Sequence, residues 1–156
     1  MKKSILILMI LSVAFSGATL AQTTSERKKE FNIDKVSLAI EGYDPVAYFS
    51  IGKAVEGKKE ISVTNNGIAY RFSTNQNKEL FKANPSKYEP QYGGWCAYAM
   101  GETGEKVEVD PETFKILDGK LYLFYNKFFN NTKKSWNKDE KNLKAKADAS
   151  WAKFLK

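Results

Sequence analysis

The chain has 156 residues, a net charge of +7, no histidine and a single cysteine, Cys96. The length suits one domain. The missing histidines and further cysteines exclude, within one chain, Ser-His-Asp and Cys-His catalysis, histidine-ligated haem, zinc fingers, CxxC redox chemistry and an internal disulfide.

The first residues, MKKSILILMILSVAFSGATLAQ, read as a secretory signal peptide over residues 1–21. Lys2 and Lys3 form a basic n-region, Ile5 to Phe15 an apolar h-region, and Thr19-Leu20-Ala21 a cleavage site. The apolar run is shorter than the ~18 residues of a spanning helix. The expectation is a periplasmic or secreted protein with no stable membrane insertion after cleavage. Residues 22–35 are polar and charged and read as a loose linker, leaving 36–156 as the domain.

Val36, Leu38 and Ile40 alternate as in a short strand. Pro45 then opens a helical turn. In EISVTNNGIAYRFS, two alternating apolar runs flank Asn66-Gly67, which predicts a hairpin with a two-residue turn. Ser73 and Gln76 have capping-box spacing before a short helix that ends at Pro85. GETGEKVEVDPET reads as a surface loop. A second hairpin turns at Asp118-Gly119, and its return strand, apolar at every position from Leu121 to Tyr125, predicts cover on both faces.

At the C-terminus, Asn137 and Glu140 have capping-box spacing, and Leu143, Ala147, Trp151 and Phe154 recur at helical intervals. The expected fold is α+β: a small antiparallel sheet of two hairpins, with short helices and an amphipathic C-terminal helix packed on it. The C-terminal lysines are interleaved with acids, as on a solvated helix face, and no nucleic-acid partner is expected.

The candidate site centres on QYGGWCAYAM. Gly93-Gly94 permits a sharp turn and close backbone approach. A helix beginning at WCAYAM would put Cys96 near its N-terminus, where the dipole favours a thiolate. Tyr92, Trp95 and Tyr98 would wall a pocket, and Tyr43, Asp44 and Tyr48 would add oxygen groups if the two motifs meet. One thiolate with such donors suits Cu(I) or haem-type iron better than magnesium or calcium, and a second protomer would complete an otherwise open site. Beside this stand two other readings: a thiol-dependent enzyme or redox protein, and an interaction domain whose cysteine is a small buried apolar residue. Tyr43, Tyr48 and Asp44 likewise admit structural roles, as buried aromatics and as a turn or cap residue.

The motifs GYDPVAYF, YGGWCAYA and DGKLYLFY, in that order, closely resemble exported bacterial proteins of the YHS-domain family, from about Ile40 to the C-terminus. The resemblance implies a binding module rather than an enzyme. Related YHS modules are associated with copper or zinc through several cysteines, which implies Cys96 as a metal ligand here. This chain keeps one cysteine, so one protomer's soft ligands do not build a closed four-ligand zinc site.

Overall fold

The computed structural model describes residues 23–155; the signal-peptide reading of 1–21 falls outside them. Two hairpins organise the fold. Strands β1 (Lys58–Asn65) and β2 (Ile68–Phe72) pair antiparallel around Asn66-Gly67, whose φ values of 46° and 83° are those a tight two-residue turn demands. Strands β3 (Asp110–Leu117) and β4 (Lys120–Phe124) pair in the same way around Asp118-Gly119, with φ values of 50° and 70°. Ile68, Tyr70 and Phe72 are buried on one face of β2, as the period of two requires.

Strand β4 is covered on both faces, as its composition predicts, and it divides the interior. Leu121 and Leu123 join β2, Phe81 and Cys96 in one core, whereas Tyr122 and Phe124 join Tyr92, Met100, Trp136, Leu143 and Ala147 in another.

The hairpins do not form one sheet. They are separate two-stranded ladders that meet through side chains. Irregular backbone occupies an edge of each: Leu38 bridges Ala69 of β2, and Pro90 bridges Leu121 of β4. Residues of both hairpins share one core.

Six further short elements complete the central part of the chain: helices α2 (Ala47–Ser50), α3 (Asn75–Ala83), α4 (Pro85–Tyr88) and α5 (Ala97–Glu102), and 3₁₀ turns at Ile40–Gly42 and Gln91–Gly94. The capping residue of α3 is Thr74, one position after the expected Ser73, because the Ser73 hydroxyl donates to Asp44 instead. After β4 come a two-residue-stranded hairpin, β5 (Asn126–Lys127) with β6 (Asn130–Asn131), and helices α6 (Thr132–Trp136) and α7 (Glu140–Trp151). Asn137 ends α6 rather than capping α7.

Three readings of chain segments are also corrected. Residues 24–30 of the supposed linker form a helix, α1 (Thr24–Glu30), with a Thr23–Glu26 capping box. It is held by tertiary contacts that its own composition does not announce: Arg27 pairs with Glu89 at 2.6 Å, and Phe31 stacks edge-on against Trp151. The stretch 36–40 is no strand. Val36 is exposed, and Ser37 and Ile40 have φ values of 65° and 53°. For a β-branched residue such as Ile40 this is an outlying conformation. The loop 101–113 is not wholly on the surface, since Val109 is buried and β3 begins at Asp110.

Helix α7 docks chiefly on α5 rather than on a sheet. Leu143 and Ala147 form its buried stripe, with Trp151 and Phe154 partly buried beyond. The close approach depends on Gly101, where a Cβ would collide with the Leu143 carbonyl. Gly101→Ala is therefore expected to cost about 1–3 kcal/mol by overpacking, read as a shift in the denaturant midpoint; a variant that unfolds like the parent contradicts this docking.

Candidate functional site

The residues singled out in the sequence separate into three places. The first is a buried staple at Asp44. This carboxylate is fully buried and every acceptor position is used. Oδ1 accepts from the backbone N–H groups of Val46 and Ala47, and Oδ2 from the Ser73 N–H, the Ser73 hydroxyl and the Asn77 amide. Asp44 thus caps the first turn of α2 and ties it to the junction of β2 and α3. A buried charge is stable only when paired or hydrogen-bonded in this way, and nothing is left over for a ligand. Tyr48, buried beside it, donates to the Pro111 carbonyl at 2.9 Å and packs its ring edge-on against Phe114. Tyr43 is partly buried and reaches Glu112 at 3.4 Å.

The second place is the seam between α1, α5 and α7. Tyr92 has a φ of 54° and is followed by Gly93 and Gly94 at 61° and 89°, the sharp turn anticipated from the glycine pair. Gly93 leaves no space for a Cβ against Trp151 and Phe31. The turn aims the Tyr92 hydroxyl at Asp148 of α7, 2.9 Å away, and the Trp95 indole at the Glu30 carbonyl, 2.7 Å away. Both aromatics therefore join helices and do not wall a cavity beside Cys96.

The third place holds Cys96. It is the N-cap residue of α5, as the sequence suggested, and it is fully buried. Its N–H donates to the Val107 carbonyl at 2.9 Å. The Tyr125 N–H donates to Sγ at 3.4 Å, and Sγ lies 3.4 Å from the Thr132 hydroxyl oxygen. That hydroxyl donates to the Tyr125 carbonyl, which leaves the S–H as donor to Thr132. Both hydrogen-bonding roles of the sulfur are thus filled within the protein.

Beside this junction lies an open, cleft-like cavity of about 320 Å³. Cys96, Ala99 and Val107 line its base, Tyr98 and Tyr125 contribute aromatic rings, and Thr132, Thr103 and Asn130 add polar atoms. Glu102 and Glu105, both exposed, supply negative charge at its edge. Of the seven residues proposed from sequence, only Cys96 and Tyr98 reach it. Tyr125 was visible as the end of an apolar strand, but nothing local marked it as a site residue. Thr132, Glu102 and Glu105 carry no signal at all, because they meet only through the fold. A smaller cleft of about 210 Å³ lies by Asp34, Glu41 and Glu108, and there Asp34 is already committed to the N–H groups of Val36 and Leu38.

A thiophilic metal is poorly matched to the cavity. The sulfur's neighbours are a hydroxyl and an amide, and the nearby charges are carboxylates, which are hard oxygen donors. Among the described residues no group of three or more Cys, Asp or Glu is placed to hold a metal ion. Compared with known proteins, the chain matches no family model, no curated protein and no solved structure.

The tyrosines are locked as phenols. Burial pushes the Tyr48, Tyr70 and Tyr92 hydroxyls well above the ordinary tyrosine range, with Glu89 adding to the effect at Tyr70 and Asp148 at Tyr92. They are donors, not anionic ligands. Unfolding returns each to about 10, so above that pH the unfolded chain releases protons that the folded chain retains, and stability falls as pH rises. In an ultraviolet titration these three tyrosines should ionise only with alkaline unfolding; smooth ionisation of all tyrosines near pH 10 in folded protein contradicts the burial assigned to them.

Proposed function

We propose that this chain is an exported, YHS-type binding module, without catalytic chemistry of its own, whose ligand is a small molecule seated in the cavity above Cys96. The observation that carries the reading is the pairing of that cavity with a sulfur whose hydrogen bonds are already satisfied. A nucleophilic or redox thiol needs access and a partner base or thiol. Cys96 has neither: it is buried, and its contacts are Thr132 and a backbone N–H. It lies beneath the site and ties together the segments on which a ligand rests.

Two of the motifs behind the family resemblance support the same place. Cys96 belongs to YGGWCAYA and Tyr125 ends DGKLYLFY, and the two residues are joined at the cavity base. The third, GYDPVAYF, supports it at a distance through the Asp44 staple and through Tyr48, which is fastened to Pro111 at the start of β3. The cavity volume lies at the lower end of small-molecule sites. Its chemistry, an apolar and aromatic interior with Glu102 and Glu105 at the edge, fits a compact apolar molecule carrying an amine.

The test uses benzylamine and benzyl alcohol as probes, followed by amide chemical shifts. Both should move the signals of Tyr98, Tyr125 and Thr132. Ala99→Phe, which fills the space, should abolish binding of both. Glu102→Gln with Glu105→Gln should weaken the amine by roughly 3- to 10-fold, as loss of two exposed charges allows, and leave the alcohol unchanged. Shifts confined to other surfaces, or binding that survives Ala99→Phe, contradict the assignment.

A further inference from the structure

The hairpin formed by β5 and β6 has a tip that nothing in the fold accounts for. Lys127 pairs with Asn130, so the two-residue turn between them is Phe128-Phe129. Both phenylalanines have positive φ, 51° and 63°. Such a turn selects Asn-Gly, and bulky aromatic residues are disfavoured there. This chain uses Asn-Gly for the same purpose at 66–67, so turn formation does not explain the choice. Nor does packing: Phe128 is 89% exposed and Phe129 fully so. Two adjacent aromatic rings are held out into water on a backbone that resists them.

The surroundings of the tip indicate what covers the rings. From Asn126 to Lys138 there are four lysines and no acidic residue. Lys127, Lys134 and Lys138 are exposed, and none pairs with a carboxylate among the described residues. Lys133 reaches the Phe114 carbonyl. The neighbouring carboxylates come from other parts of the chain. Asp110 accepts from Asn126 at the hairpin base, and Glu102 and Glu105 lie in and after α5, sharing the cavity lining with Asn130. Lys115 and Glu140 pair with each other.

We propose that the Phe128-Phe129 tip docks on the interface of an anionic phospholipid membrane. The two rings enter the headgroup–acyl boundary, and Lys127, Lys134 and Lys138 meet the lipid charge. Apolar insertion combined with a basic collar is the pattern of reversible interfacial binding. It requires no spanning segment, and among the described residues no helix is long and apolar enough to cross a membrane. An apolar protein groove or a second copy of this chain would satisfy the rings alone, but neither calls for the unpaired lysines that flank them in the chain.

The test uses the full chain with Phe129→Cys carrying a polarity-sensitive dye, Cys96 being buried. Vesicles are phosphatidylcholine alone or with phosphatidylglycerol, each with nitroxide-bearing lipid. The dye at position 129 should shift to the blue and be quenched on phosphatidylglycerol vesicles. It should respond weakly on phosphatidylcholine, and the response should be lost in high salt or with Lys127→Glu, Lys134→Glu and Lys138→Glu combined. A dye at Lys59→Cys should stay unquenched. Unlabelled Phe128→Asn with Phe129→Gly keeps a favourable turn, so it should fold like the parent while binding phosphatidylglycerol vesicles roughly tenfold or more weakly, as loss of buried aromatic surface implies. Because the dye reports the tip itself, anchoring of vesicles by the apolar stretch at residues 5–15 does not obscure the answer. An unquenched tip on vesicle-bound protein overturns the proposal. So does a double variant whose salt-sensitive, phosphatidylglycerol-dependent binding equals the parent's, or one that loses only self-association.

Discussion

The Tyr125 N–H bonded to the sulfur of Cys96, and that sulfur bonded in turn to the Thr132 hydroxyl, form the contact on which the candidate site depends. Four stretches of chain meet there: the start of α5, the loop at Val107, the end of β4 and the start of α6. Sulfur bonds are weaker than those of oxygen, but an interior position leaves no water to compete for them, and a lost partner exposes the full desolvation cost. The cavity above exists because these four segments are fixed relative to one another while the Ala99 and Val107 side chains are too small to fill it.

A second constraint acts at a distance. Asp44 gathers hydrogen bonds from α2, Ser73 and α3, and so orients the segment that carries Tyr48 to Pro111. Strand β4, with every side chain from Leu121 to Phe124 buried, then presents Leu121 and Leu123 to one core and Tyr122 and Phe124 to the other. The segment held by the Asp44 staple and the Cys96 junction both pack on the Leu121–Leu123 side of this strand, whose own hairpin partner is β3.

What could be read in the sequence was what local chemistry encodes. Asn66-Gly67 and Asp118-Gly119 announce their turns because few residues tolerate positive φ, and the alternation in β2 follows from the pleat. The start of α5 at Cys96 followed from the glycine pair before it. Helix α1 was hidden because Arg27–Glu89 and Phe31–Trp151 are long-range contacts. The separation of the hairpins was hidden for a similar reason: Leu38 and Pro90 take the strand edges from places far along the chain. At the site, Tyr43, Asp44 and Tyr48 read as oxygen donors because a ligand and a structural staple use the same atoms. Only the positions of Ser73, Asn77 and Pro111 distinguish the two. Phe128-Phe129 gave no sign of a turn, since their conformation runs against their own preference.

The account rests on Cys96 being a structural floor rather than a reagent. The most direct measurement is the rate of iodoacetamide alkylation of Cys96 across a denaturant series below the unfolding transition. If the thiol is sealed in the Tyr125–Thr132 network, the rate follows the population of globally unfolded chain and is negligible in water at neutral pH. Rapid alkylation of the folded protein at neutral pH, independent of denaturant, would contradict the account and return Cys96 to the role of an accessible reactive or ligating thiol.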